Sequence, residues 1–75
     1  MDELIEFIAK SLVDDPSAVR VTMSLRRGET RVELSVADED MGRVIGRRGR
    51  VANAMRALLR VAASQKGTRA NLEII

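Results

Sequence analysis

The chain contains neither cysteine nor histidine. Disulfides, thiolate or imidazole metal sites, and Ser-His or Cys-His nucleophilic catalysis are excluded together. Phe7 is the one aromatic residue, so a surface that stacks bases on a row of aromatic rings is excluded, and aliphatic side chains and methionine must fill the core. No apolar run approaches the roughly 20 residues that span a bilayer, and the amino terminus is acidic where a secretory signal would be basic. These absences lead to the expectation of a soluble, cytoplasmic protein. A chain of 75 residues makes a single domain, 1–75, that buries only roughly 60% of its unfolded surface and has no room for a deep catalytic cleft. Catalysis, a cofactor, a small-molecule substrate and a membrane partner are therefore not expected.

Acidic residues are missing from one long segment. Up to Asp15 the chain carries Asp2, Glu3, Glu6, Asp14 and Asp15 against Lys10. From Met41 to Leu72 there is no acid, while Arg43, Arg47, Arg48, Arg50, Arg56, Arg60, Lys66 and Arg69 are all basic. A net charge of +2 conceals this division. The segment is built to meet an anion.

Periodicity places that segment in a fold. Leu4, Ile5, Ile8, Ala9, Leu12 and Val13 recur at helical spacing over Met1 to Asp14, with Asp2 and Glu3 near the positive end of the helix dipole. Pro16 disfavours helix in the residue before it and should end this helix near Asp15. Val19, Val21, Met23 and Leu25 alternate with Arg20, Thr22, Ser24 and Arg26. After the turn Arg27-Gly28-Glu29, Thr30, Val32, Leu34 and Val36 alternate with Arg31, Glu33 and Ser35. This predicts a β-hairpin with one apolar face. Asp38 is the expected N-cap of a short second helix carrying Met41, Val44 and Ile45 and ending at Gly46. From about Gly49 to Gly67, Val51, Ala54, Met55, Leu58, Leu59 and Ala62 mark a third helix, and Ala70, Leu72 and Ile74 a third strand. The expected fold is α+β, ordered α-β-β-α-α-β, with three helices on one face of a three-stranded sheet.

Between the second and third helices lies Val-Ile-Gly-Arg-Arg-Gly-Arg, residues 44–50. Taken alone, Gly46 and Gly49 need be no more than a left-handed C-cap and a relaxed helix start. The context adds to this, because the unpaired amides and positive dipole end of the third helix face the loop. Glycines admit a sugar-phosphate backbone without a side chain in the way, and Arg47 and Arg48 supply charge-assisted contacts. Neither the Walker GxxxxGK[ST] pattern nor a GxGxxG loop after a strand is present, so a nucleotide cofactor is not indicated. Gly42 and Gly46 also form a GxxxG spacing, read here as a crowded helix contact.

Ile45-Gly46-Arg47-Arg48-Gly49 between two helices resembles the hallmark of the KH domains, and the α-β-β-α-α-β order resembles their type II arrangement. "IAKSLVDDPSAVRV", "ELSVADEDMGRVIGRRGRVANAMRALLRVAA" and "LEII" are similar to the small single-domain bacterial members of that family, and the likeness covers nearly the whole chain. The resemblance implies a clamp for single-stranded RNA over about four nucleotides, with Gly46, Arg47, Arg48 and Gly49 holding the backbone. Val44, Ile45 and Val51 become candidates for an apolar groove wall, although they fit core packing equally well. Arg50, Asn53 and Arg56 are candidates to reach phosphate or base edges, although they also fit a solvated helix face. It further implies a post-transcriptional regulator or RNA chaperone, forming homodimers or a heterodimer with a larger KH-containing protein; in some members the role touches cell elongation and division. Pairing two weak clefts would raise their effective concentration on one RNA.

Two other classes fit part of the pattern. A protein-interaction module would use the same fold to recruit a partner, with RNA incidental. A helix-turn-helix DNA binder also has two helices about a short turn, but glycine at both turn ends and the shortness of the first helix count against it. Asp38, Glu39 and Asp40 could together hold a divalent cation, but dipole-favoured acids at a helix start account for them more simply.

Overall fold

The computed structural model describes residues 1–75. Helix α1 spans Asp2–Leu12, strand β1 Arg20–Arg26, strand β2 Glu29–Ser35, helix α2 Met41–Ile45, helix α3 Arg50–Gln65 and strand β3 Arg69–Ile74. Single 3-10 turns cover Pro16–Ala18, Asp38–Asp40 and Arg47–Gly49. The α-β-β-α-α-β order and the α+β class are those expected from the periodicity.

The sheet is ordered β1-β2-β3, with β1 antiparallel to β2 and β2 parallel to β3. The hairpin needs only Arg27 and Gly28, which both take positive φ, 50° and 77°. That is the geometry two-residue hairpin turns require, matching the twist of the strands they join. The parallel pair needs a crossover, and α2 and α3 provide it. Along β2, Thr30, Val32 and Leu34 are buried while Arg31 is exposed, so one sheet face carries the core and the other meets water.

Ile5 and Ala9 of α1, Val32 and Leu34 of β2, Val44 of α2, Met55 and Leu59 of α3 and Leu72 of β3 form the centre of the core. Helix α1 ends at Leu12, three residues short of the expected limit near Asp15. Val13 is already extended, and the Asp14 and Asp15 amides point to a partner outside the helix. On α3 the buried stripe is Ala52, Met55, Leu59 and Ala63, whereas Ala54 and Leu58 of the expected stripe are exposed. Met55 and Leu59 fill the core between the small Ala52 and Ala63, and Leu58 is left on the outer side of the helix.

Three readings of short-range pattern are corrected. Asp38 caps nothing. The Asp40 carboxylate turns inward and accepts the Asp14 and Asp15 backbone amides, each at 3.0 Å, with Arg43 Nε at 3.3 Å. Gly42 does not sit in a crowded contact, since a Cβ built there meets nothing within 4 Å. On β1 the inward alternation fails towards the hairpin, where Met23 and Leu25 remain exposed.

Candidate nucleic-acid interface

The loop between α2 and α3 is built from three departures from ordinary helical backbone within four residues. Gly46 ends α2 at φ 76°, ψ 171°, a region that only glycine enters freely. Arg48 (φ 58°) and Gly49 (φ 73°) follow in the left-handed region. The Gly46 amide still donates to the Gly42 carbonyl at 2.9 Å, and the Gly49 amide closes back onto Gly46 at 3.1 Å. The turn is thus tight and hydrogen-bonded. Arg48 in a left-handed conformation, which non-glycine residues rarely adopt, was not legible in the sequence.

Gly46 also occupies a place where no side chain fits. A Cβ there would lie 2.5 Å from Val51 Cγ2 and 2.9 Å from the Val51 backbone nitrogen. Val51 packs partly against the core and so seats the loop against the first turn of α3. Gly49, the N-cap of α3, offers no side chain to the first amides of the helix. The Arg50 amide closes onto the Arg47 carbonyl within the turn, and the positive end of the 16-residue helix faces an anion arriving over the loop.

Arg47, Arg48 and Arg50 are exposed and make no ion pair. Arg43, counted in the same acid-free segment, is different. It pairs with Asp14 at 3.0 Å and with Asp40 at 3.3 Å, acids that lie outside the segment and that only folding brings beside it. Its charge is spent inside the protein.

The remaining candidates divide. Val44 is fully buried in the core and presents no surface for a groove wall. Ile45 is 37% exposed beside the loop, and Asn53 is exposed on α3. Asn53 Oδ1 accepts from Arg56, whose Nε reaches the Leu72 carbonyl of β3 at 3.3 Å. This contact bridges α3 to a strand whose far edge is unpaired, since β3 pairs only with β2. Beside it lies an open hollow of about 430 Å³ lined by Arg31, Arg56, Asn71, Leu72 and Glu73. The β3 side of this hollow escaped sequence reasoning, because strand order is set by tertiary pairing.

Asp40 holds the exit of α1 against the entry to α2. Its carboxyl is held below the usual value of 3.8, chiefly by the Asp14 amide, then by the Asp15 amide and the charge of Arg43, working against burial. It therefore stays charged, tying the end of α1 to the start of α2.

Helices gathered on one face of a mixed three-stranded sheet, with a glycine-bracketed loop between the second and third, define a KH domain of the type II arrangement. The family model for the KH domain of KhpA/KhpB matches residues 2–74, and the chain belongs to that family. It is 50% identical over 74 residues to "RNA-binding protein KhpA" of Treponema pallidum (strain Nichols), covering 99% of this chain and 92% of that one. It is 48% identical to the protein of that name from Caldanaerobacter subterraneus subsp. tengcongensis and 47% to that from Clostridium perfringens, each over the full length of both chains. No solved structure gives a significant match.

Proposed function

We propose that this protein binds single-stranded RNA without catalysis, clamping the backbone at Gly46-Arg47-Arg48-Gly49. The observation that carries the reading is the loop itself. A side chain is sterically excluded at Gly46, two unpaired arginines stand in the turn, and the N-terminus of α3, which no side chain caps, lies behind it. The names of the relatives, each an RNA-binding protein, agree. Phosphate held by amides and guanidinium groups fixes position and carries no sequence information, so base preference must come from the hollow between α3 and β3.

The test replaces both loop arginines. Arg47→Asp with Arg48→Asp is expected to abolish binding of single-stranded RNA in fluorescence anisotropy while the circular dichroism spectrum stays unchanged. Wild-type affinity in that double variant would sink the clamp assignment.

One short cleft binds weakly, and avidity supplies a reason for pairing. The proposed unit is a homodimer, or a heterodimer with a larger KH-containing, KhpB-like protein, acting in the cytoplasm as a post-transcriptional regulator or RNA chaperone. Support for a protein partner comes from large apolar side chains left in water, namely Leu58 and Val61 on α3 and Met23 and Leu25 on β1. The same residues favour a second reading, in which recruiting a protein is the main role and RNA is incidental. Co-purification of a partner from RNase-treated lysate, with no RNA enriched after ultraviolet crosslinking, would support that reading over the first.

A further inference from the structure

Four arginines that the clamp does not use meet at the opposite end of α3. Arg26, Glu29 and Arg69 stand directly opposite one another across β1, β2 and β3. Their neighbour Thr30 is buried, so this row lies on the outer sheet face, away from the helices. Arg27 occupies the adjoining turn, and Arg60 of α3 borders a hollow with Glu29, Ser64 and Arg69. None of the four forms an ion pair. Glu29 is the one acid among them, which leaves a local charge of +3, four arginines less one glutamate. The next row differs, since Arg31 there is held by Glu33 and Glu73.

Glu29, opposite both Arg26 and Arg69, offsets only part of the mutual repulsion of these guanidinium groups. Side chains on one sheet face stand roughly parallel, so Arg26 and Arg69, two strands apart and about 10 Å from each other, present separate cations and do not converge on a single group. That arrangement suits successive charges along a polyanion. Its place in the molecule indicates which polyanion. Arg31 and Asn71 line the hollow at the β3 edge, and the same two residues line the outer-face hollow with Arg26, Arg27 and Glu29. A strand that leaves the groove over the edge of β3 passes directly onto the outer-face arginines.

We propose that the outer face of the sheet at the hairpin end, through Arg26, Arg27, Arg69 and the adjacent Arg60, is a second backbone-binding site that holds RNA beyond the nucleotides gripped by the loop. The inference rests on the RNA-clamp reading and extends it: one chain engages a single strand longer than the roughly four nucleotides of the clamp. With no aromatic side chain on this face, the contact is to phosphate and is indifferent to sequence.

The test compares a five-nucleotide with a fifteen-nucleotide oligouridine in fluorescence anisotropy, using Arg26→Gln/Arg69→Gln and, independently, Arg27→Gln/Arg60→Gln. Each pair is expected to leave five-nucleotide affinity within about twofold of wild type and to weaken fifteen-nucleotide affinity about tenfold or more. The slope of log affinity against log salt for the longer probe should shrink by about 1.4, that is, 0.7 for each of two lost phosphates. Unchanged affinity for the longer probe in both variants overturns the proposal and points to an acidic protein as the partner of this face. Equal losses on both probes overturn it as well. Arg47→Asp/Arg48→Asp, read on the short probe, reports on the clamp, so failure of the clamp and failure of the outer site give different results.

Discussion

Gly42 and Gly46 lie four residues apart, one within α2 and one at its end, yet alanine should have opposite effects at the two positions. At Gly46 the new Cβ would strike the Val51 backbone nitrogen as well as its side chain, at a φ of 76° that already disfavours any L-residue. Val51 cannot withdraw without moving the first turn of α3. Gly46→Ala is expected to destabilise the protein by about 2 kcal/mol or more in urea unfolding and to weaken RNA binding with it. Gly42 has open space around it and helical backbone, so Gly42→Ala should stabilise by about 0.5–1 kcal/mol. Equal responses at the two sites would contradict the loop geometry. The sequence shows two glycines at a suggestive spacing; which of them is constrained depends on where Val51 packs.

At the scale of elements, the chain from α1 to α2 is tied by one carboxylate. Asp40 accepts the amides of Asp14 and Asp15 and pairs with Arg43, which in turn reaches Asp14. Asp40→Ala leaves those amides without their acceptor and is expected to lower Tm by roughly 5–10 °C; Asp40→Asn, which keeps one acceptor oxygen, should lower it by less. Because the folded carboxyl titrates below 3.8, its stabilisation is fully present above that pH and is lost as pH falls through the lower, folded value. Acid unfolding followed by circular dichroism should therefore begin from a steeper slope below about pH 4 in wild type than in Asp40→Asn. Identical acid profiles would rule this contribution out. The sequence placed an acid at a helix start and left this further role unseen, since the partners it serves are 25 and 26 residues away.

For the molecule as a whole, 14 of 75 residues are buried, so the core cannot shelter every large apolar side chain. Leu58 is 49% exposed and Val61 58%, on a helix whose other exposed positions are mainly polar or small. If these residues meet a second protomer, Leu58→Glu with Val61→Glu should convert a dimer to a monomer in sedimentation equilibrium while the isolated fold persists. The avidity lost with the second cleft should weaken binding to long RNA far more than to short. A wild-type protein that stays monomeric at all concentrations would overturn the homodimer proposal.

The sequence by itself determined the order of the six elements, the apolar face of β2 and β3 and the place of the glycine-bracketed loop. Those features rest on local periodicity and on backbone preferences that act over a few residues. Only the tertiary structure decided that Val44 is core, that Arg43 is neutralised by acids from α1's exit and from Asp40, that Gly46 is closed off by Val51, and that Arg26 and Arg69 share a face with Glu29 between them. Each of these depends on contacts between segments far apart in the chain, whose register and approach are set by packing.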